Sequence, residues 1–274
     1  MIEITTLNHR YPNGKLALDS IDLSIKRGEF VVIAGRNGSG KSTLVRHLNA
    51  LLLPSSGSVK VNGLCTKEKA NLLGIRRTVG MVFQNPDSQF VGMTVEEDVA
   101  FGLENTEVAP EKIKLLVEST LRSMELSDHR NCSPRSLSGG QRQKVAISGV
   151  LVMEPEYMVF DEVTSMLDPV SKLEVLATIQ QINEKGISII HVTHRLEEAI
   201  NADRLIVMDS GRIVLDGAPC EVFAHPDLVQ KYGLELPPIV ELSRRLSDAG
   251  ILKKEVVLSK DDLVEELCQS ISKT

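Results

Sequence analysis

Hydrophobic and polar residues alternate with a period of two in the segments IEITTLNHRY and LALDSIDLSI, which predicts two half-buried strands near the N-terminus. The next apolar run, FVVIAG, is continuous, which is typical of a strand buried on both faces. The same reasoning predicts further strands at GSVKVNG, TVGMVFQ, YMVFDE, ISIIHVTH, RLIVMDSG and RIVLDG. The pattern therefore indicates an α/β protein.

Helical spacing separates these strands. It occurs over TLVRHLNALL and dominates from about residue 95 to 152, in the segments TVEEDVAFGLEN, PEKIKLLVESTLRSMEL and GQRQKVAISGVLVM. It returns at SKLEVLATIQQINEKG and LEEAINA, and small helices are predicted at LPPIVELSRRLSDAG and KDDLVEELCQSI. We therefore predict one α/β domain over residues 1–230, with a helical subdomain over approximately 87–152, and a C-terminal extension over 231–274.

Composition and charge narrow the classes of protein. The 274 residues are 42% hydrophobic and 25% charged, ordinary values for a soluble domain. The chain contains no apolar run near the roughly 20 residues of a membrane span, and its start lacks the layout of a signal peptide. A net charge of -6 disfavours a general basic surface for nucleic acid. The four cysteines lie far apart without a CxxC pair, so we expect neither a disulfide framework nor a zinc site.

The glycine-rich loop GRNGSGKS, residues 35–42, lies between the FVVIAG strand and a predicted helix. It fits the phosphate-loop pattern, whose glycines let backbone N–H groups surround phosphate oxygens at the positive end of a helix. Lys41 would reach the β- and γ-phosphates, and Ser42 would ligate Mg²⁺. The residues expected to contact nucleotide are Gly35, Asn37, Gly38, Ser39, Gly40, Lys41, Ser42 and Thr43.

Two carboxylates end the predicted strand YMVFDE, at the edge where active groups of parallel sheets lie. Asp161 would hold Mg²⁺ directly or through water. Glu162 would act as the general base that deprotonates or polarises the attacking water. Together with the glycine-rich loop, these residues predict a phosphate-loop NTPase or kinase, and they do not choose between the two.

A second candidate anion site lies in SLSGGQRQK, residues 136–144. Ser138 can donate its hydroxyl hydrogen, and Gly139 and Gly140 present backbone N–H groups at the start of a predicted helix. With LSGGQ at residues 137–141, about 20 residues before the Asp161 strand, the sequence resembles an ATP-binding-cassette ATPase over roughly residues 1–230.

This resemblance implies a RecA-like P-loop NTPase core with an antiparallel β subdomain and a helical signature subdomain. It implies ATP and Mg²⁺ as cofactors. It also implies two cassettes packed head to tail, in which Ser138, Gly139, Gly140 and Gln141 of one chain close over the nucleotide held by the other.

Further roles are carried over from the family one residue at a time. Tyr11 matches the aromatic residue that stacks on adenine, with packing on the core as the alternative. Gln84 matches the glutamine that reaches Mg²⁺ and the attacking water. Asp168 matches the aspartate of the turn that crosses the dimer interface. His194 matches the histidine that contacts the γ-phosphate, whereas His191 is expected to serve packing or hydrogen bonding.

The segments QNPDSQFVGMTVEEDVAFGLEN and FDEVTSMLDP are similar to the energy-coupling-factor branch of the family, whose ATPases drive uptake of vitamins or transition metals such as cobalt and nickel. That likeness implies a transmembrane coupling subunit, a substrate-binding membrane subunit and a peripheral position on the cytoplasmic side of the cell membrane. Asp87 and Gln89 would line the groove for a helix of the membrane partner, and a solvated Asp87 is the alternative.

The sequence also allows functions other than that of an energy-coupling-factor ATPase. The chain could be the ATPase of another ABC transporter class, or a soluble cassette ATPase acting on nucleic acid or ribosomes, although basic arms and long insertions typical of the latter are not found in the sequence. A small-molecule kinase leaves LSGGQ and His194 unexplained. The sequence does not identify the transported substrate, and it is compatible with both a homodimer and a paralogous heterodimer.

Overall fold

The computed structural model describes residues 1–105 and 108–271. In chain order its strands are β1 (Ile2–Arg10), β2 (Leu16–Ile25), β3 (Phe30–Ala34), β4 (Ser56–Val61), β5 (Leu64–Cys65), β6 (Val79–Val82), β7 (Tyr157–Asp161), β8 (Ser188–Thr193), β9 (Arg204–Asp209) and β10 (Arg212–Gly217). Its α-helices are α1 (Lys41–Leu48), α2 (Leu72–Thr78), α3 (Val95–Glu104), α4 (Pro110–Ser123), α5 (Gly139–Leu151), α6 (Pro169–Glu184), α7 (Pro219–Phe223), α8 (Pro226–Lys231), α9 (Pro238–Asp248) and α10 (Lys260–Ile271).

The strands form two sheets. The first is antiparallel, in the order β2-β1-β4-β5. The second has the order β10-β9-β3-β8-β7-β6 and is parallel except for the β10–β9 pair at its edge. The predicted fold class, a P-loop NTPase core with an antiparallel β subdomain and a helical subdomain, is confirmed.

The six-stranded sheet is the middle layer of the molecule and has a hydrophobic core on each face. Successive side chains of β3 point to these two faces in turn. Val31 and Ile33 join the core shared with the antiparallel sheet and α1. Phe30, Val32 and Ala34 join the core shared with helices α3 to α6. Since both faces are covered, the strand is apolar throughout, as its sequence predicts.

Three helices packed on one face of the six-stranded sheet begin with residues that favour a helix N-terminus. Thr94 and Glu97 form a reciprocal capping box at the start of α3. Ser138 and Gln141 form another at the start of α5. Pro110 occupies the first position of α4, where its missing N–H costs nothing. These residues fix where each of the three helices begins, and apolar side chains pack the helices on the sheet.

The C-terminal extension packs partly on this main core and partly on itself. Leu234 and Val240 belong to the cluster that also holds Val207 and Phe223. A separate small cluster, made of Leu252, Val257 and Leu263, joins α9 to α10. The boundary placed at residue 230 stays a prediction.

The structure differs from the sequence pattern at several short elements and at the end of α1. Helix α1 ends at Leu48, before the expected stop at Pro54, because Ala50 adopts φ 56° and the Leu51 N–H donates to the Arg46 carbonyl, as in a Schellman cap. The segment LEEAINA forms only a 3₁₀ turn over Leu196–Ala199. The pattern missed β5 and the helices α2, α7 and α8. Across the described ranges, no helix combines the length and the apolar character needed to cross a bilayer.

Candidate active site

The parallel strands of the six-stranded sheet bring their carboxyl ends, and the residues that follow them, to one edge. The glycine-rich loop follows β3, Asp161 ends β7, and His194 follows the last residue of β8. Gln84 lies two residues beyond the end of β6. Since neighbouring strands are in register, segments distant in sequence meet at this edge.

Lys41 is held inside the glycine-rich loop. Its ammonium donates hydrogen bonds to the carbonyls of Gly35 at 2.8 Å and Arg36 at 3.1 Å. Burial lowers the pKa of Lys41, against the opposing charge of Glu162. Gly40 must be glycine, because it adopts φ 108° and a Cβ there would lie 2.8 Å from the Ala17 carbonyl oxygen.

Ser42 and Asp161 meet beneath the loop. The Ser42 hydroxyl donates to Asp161 Oδ1 at 2.8 Å. Burial raises the pKa of Asp161, and the hydrogen bond from Ser42 opposes that shift. Both side chains offer the oxygen atoms that Mg²⁺ prefers, and a site with few protein ligands leaves positions for water and phosphate. The pair therefore fits a magnesium ion.

Glu162 stands next to this pair in an unusual backbone conformation. Its φ is 55°, in the left-handed region that carries a conformational cost for a residue with a Cβ. Its N–H donates to the Val192 carbonyl, which anchors the turn to β8. The carboxylate lies 3.6 Å from Lys41 Nζ and 3.8 Å from His194 Nδ1. The structure thus brings the expected general base, lysine and histidine together.

A cleft of about 150 Å³ opens over the loop and is bordered by Tyr11 and Glu162. Its other lining residues are Lys15, Ala17, Asn37, Gly38, Gly40, Lys41, Ser42 and Thr43. At the base of the loop the Ser39 hydroxyl is buried without a hydrogen-bond partner among the described residues. The glycine-rich loop that lines the cleft fits a phosphate group, because its backbone N–H groups can bind phosphate oxygens.

Tyr11 reaches the cleft from the end of β1 and is fixed by a short cycle of contacts. Its hydroxyl shares a hydrogen bond with Thr43 Oγ1 at 3.1 Å, and its ring meets His9 edge-on. His47 donates through Nδ1 to the Thr43 carbonyl at 2.7 Å, so neutral His47 accepts at Nε2 from His9 Nδ1. Tyr11 therefore both lines the cleft and packs on neighbours.

Gln84 is connected to the turn that begins at Glu162. Its amide nitrogen donates to Ser165 Oγ at 3.0 Å, and that hydroxyl donates to the Glu162 carbonyl at 2.8 Å. In the same loop Asp87 lies 3.4 Å from Arg142 of its own chain. Gln89 hydrogen-bonds the backbone N–H and carbonyl of Phe83. The loop is therefore held by its own hydrogen bonds and by an ion pair with α5.

The residues of the second motif do not line the cleft described above. Ser138 is exposed at the start of α5, and the Gly139 and Gly140 N–H groups are at helix positions that lack intrahelical partners. Asp168 caps α6 by accepting from the N–H groups of Val170 and Ser171. A hydrogen bond from the Ser171 side chain, together with the Ser171 backbone N–H, holds the pKa of Asp168 below its usual value.

Sequence reasoning missed two residues at or near the site, Lys15 and Glu198. Lys15 adds a positive charge to the cleft, but in sequence it is only a turn residue after Asn13 and Gly14. Glu198 forms a buried network behind the site, and a glutamate in a polar helical segment gives no sign of burial. Only the tertiary arrangement identifies either residue.

Comparison with known proteins gives three kinds of likeness. Residues 18–165 match the family model described as ABC transporter. An energy-coupling factor transporter ATP-binding protein, EcfA1, from Clostridium novyi (strain NT) is 47% identical over 274 residues and spans 98% of both chains.

Two solved structures share the fold. The cbiO1 protein from Clostridium perfringens, described as part of the ABC transporter complex cbiONQ, gives a TM-score of 0.77 at 36% identity and covers 88% of this chain and 97% of its own. The ATP-binding cassette MJ0796, a dimer in a post-hydrolysis state bound to ADP and Pi, gives 0.72 at 29% identity, covering 80% and 99%.

Proposed function

The chain belongs to the ABC transporter family, as an ATP-hydrolysing subunit of the energy-coupling-factor type, and we propose that it energises an importer of a transition metal ion or a vitamin. We place it on the cytoplasmic side of the cell membrane, bound to a coupling subunit and a substrate-binding membrane subunit. The cbiO1 likeness supports a multisubunit assembly, since that protein is part of a transporter complex.

The observation that carries the catalytic part of the proposal is the convergence of Lys41, Glu162 and His194 at one edge of the sheet. Glu162 takes a proton from the attacking water, and His194 contacts the γ-phosphate. Lys41 and the loop N–H groups bind the phosphates and stabilise their negative charge.

Mg²⁺, when bound, neutralises charge on the phosphate oxygens. Ser42 and Asp161 would hold this ion, with Gln84 as a further oxygen ligand. Their oxygen donors and the Ser42–Asp161 hydrogen bond support this assignment. Tyr11 would stack on adenine, and Asn37, Gly38, Gly40 and Thr43, which line the cleft, would contact the nucleotide. Gly35 and Ser39 of the same loop are proposed to contact it as well.

We further propose a head-to-tail dimer, because the motif of residues 138–141 does not line the cleft of its own chain. Ser138, Gly139, Gly140 and Gln141 present a capped helix N-terminus that attracts an anion. In the dimer this surface closes over the partner's nucleotide, with Asp168 at the interface. The dimeric MJ0796 cassette supports the pairing of two cassettes.

The direct test is Glu162→Gln, which keeps the shape of the side chain and removes the base. We expect steady-state ATP hydrolysis to fall by about 100-fold or more, because general-base catalysis contributes that much. ATP binding should persist, and light scattering should detect an ATP-dependent dimer. Glu184→Gln, at an exposed position of α6, is the matched control. Hydrolysis at a near wild-type rate in Glu162→Gln would contradict the assignment.

The transporter part is tested by purification from detergent-solubilised membranes. We expect the chain to co-purify with an integral membrane protein, whereas co-purification with nucleic acid alone would favour the soluble-ATPase alternative. In cells, comparing uptake of labelled cobalt or nickel with uptake of labelled vitamins identifies the cargo, because the membrane subunits select it.

A further inference from the structure

Glu198 is a buried carboxylate that the proposed chemistry does not use. Its side chain is 1% exposed, on the 3₁₀ turn Leu196–Ala199. Placing a carboxylate away from water costs several kcal/mol unless charged and polar partners surround it. The residues that contact Glu198 therefore indicate the role of this buried carboxylate.

Both carboxylate oxygens are occupied. Lys172 Nζ lies 2.8 Å from Oε1, and His191 Nε2 donates to Oε2 at 2.6 Å. The Thr164 hydroxyl donates to both oxygens at 3.0 Å. Although burial alone would raise the pKa of Glu198, His191 and Lys172 lower it to about 2, so the group stays ionised at neutral pH.

Each partner lies on a segment that carries a proposed functional group. Thr164 is in the turn that begins at Glu162, and that turn is closed by the Ser165 N–H donating to the Glu162 carbonyl. Lys172 is in the first turn of α6, where its N–H donates to the carbonyl of the Asp168 cap.

The third segment contains His194. His191 lies on β8 three residues before it, and Glu198 lies four residues after it, beyond the contact between the Arg195 N–H and Thr193 Oγ1. The carboxylate therefore ties together the segments of the general base, of the histidine and of the interface aspartate. None of the four network residues lines the cleft, so the network acts through other residues.

We propose that Glu198 is a positioning residue for ATP hydrolysis, which holds the segments of Glu162, His194 and Asp168 in one arrangement through Thr164, Lys172 and His191. This inference rests on the proposed function and adds to it. The loop that binds phosphate is held by separate contacts. Loss of Glu198 should therefore affect turnover more than ATP affinity.

The test is Glu198→Gln in the full-length chain, which keeps the shape and removes the charge. We expect kcat to fall by about 10- to 100-fold, because a displacement of the reacting groups by about 1 Å has an effect of that size. ATP affinity, measured by equilibrium dialysis, should change by less than about twofold. Glu197→Gln, on the same turn but exposed, should keep the wild-type rate.

Two substitutions of Lys172 make a rescue experiment possible. Lys172→Met removes the charge and should reproduce the loss of kcat, whereas Lys172→Arg keeps it and should restore most of the rate. If Glu198→Gln does not fold, Thr164→Val removes only the hydroxyl and should still lower kcat without lowering ATP affinity. All assays are run well below the thermal midpoint, so that the variants are equally folded.

The outcomes separate this inference from the proposed function. A wild-type chain that hydrolyses ATP, with folded Glu198→Gln and Lys172→Met variants within about twofold of its kcat, would overturn the positioning role alone. Equal losses of kcat and ATP affinity would also overturn it, since they indicate general destabilisation. A complex purified from membranes that shows no ATPase activity with the wild-type chain, as with Glu162→Gln, would instead overturn the proposed function.

Discussion

At the residue scale, His47 shows how burial changes the chemistry of a side chain behind the cleft. It is fully buried in α1, and its two ring nitrogens meet the Thr43 carbonyl and His9. Burial lowers the pKa of His47 to about 4, below the ordinary value of 6.5. The neutral form is therefore the one that supports Tyr11 through Thr43 and His9.

This lowered pKa predicts an acid-sensitive fold. The folded chain binds the His47 proton more weakly than the unfolded chain, so the stabilisation is complete above pH 6.5 and is lost as the pH falls toward 4. We expect a loss of roughly 3 kcal/mol of unfolding free energy from this group over that window. Urea unfolding at several pH values measures it.

The matched comparison uses His47→Gln and, as a control for losing a histidine at an exposed position, His225→Gln. His47→Gln should flatten the decline in unfolding free energy between pH 6.5 and 4 relative to the wild type. The same slope in His47→Gln and the wild type would show that other groups cause the decline.

At the element scale, α5 and α6 approach each other through a glycine. A Cβ on Gly140 would lie 2.9 Å from both Cβ and Oγ of Ser171, whereas one on Gly139 would meet only Leu167 Cδ2, at 3.5 Å. Ser171 also takes part in the N-cap of α6, because its backbone N–H donates a hydrogen bond to Asp168 Oδ1. The relative position of the two helix starts therefore depends on Gly140.

Replacing these glycines separates sterics from helix propensity. Gly140→Ala should lower the unfolding free energy by about 1–3 kcal/mol, because overpacking forces α5 and α6 apart. Gly139→Ala has room and should be nearly neutral in thermal unfolding. Gly140→Ala should also weaken ATP-driven dimerisation measured by light scattering, since it moves the proposed interface. Equal stability of the two variants would contradict this account.

At the scale of the whole molecule, the C-terminal extension touches the nucleotide loop. Gly233, after α8, adopts φ 66°, and a Cβ there would lie 2.7 Å from Cδ of Arg36. The Arg36 carbonyl accepts from Lys41 Nζ and from the Ser39 N–H inside the loop. A Cβ at Gly233 would therefore displace the Arg36 side chain, and we expect this displacement to reach the loop through the Arg36 backbone.

Gly250 provides a matched control, because both glycines close a helix in the same way. Gly233 and Gly250 each have φ near 70°, and the N–H of the following residue donates five residues back. A Cβ on Gly250 meets nothing within 4 Å. Gly250→Ala therefore measures only the free energy cost of a residue with a Cβ in the left-handed backbone conformation.

We expect Gly250→Ala to lower the unfolding free energy by about 1 kcal/mol without changing ATP affinity. Gly233→Ala should lower it further and weaken ATP binding, because Arg36 must move. Denaturant unfolding and equilibrium dialysis measure the two effects. Unchanged ATP affinity in both variants would show that the extension and the loop are uncoupled.

The sequence by itself determined the strands, most helices and the phosphate loop, because these depend on local periodicity and on glycine conformations. FVVIAG predicted β3, and GRNGSGKS predicted the loop that follows it. LSGGQ predicted an anion-binding helix start, and α5 begins there with a capping box. Local rules were weakest at short elements such as α2 and the turn Leu196–Ala199, where packing and caps decide the conformation.

The tertiary structure alone decided which distant residues meet. Parallel register places Glu162 beside Lys41 and His194, which lie 121 residues before it and 32 after it, respectively. Glu198, unremarkable in sequence, is buried because Lys172, His191 and Thr164 converge on it. Burial and charge pairing of this kind depend on long-range packing, since no local pattern encodes the partner of a buried charge.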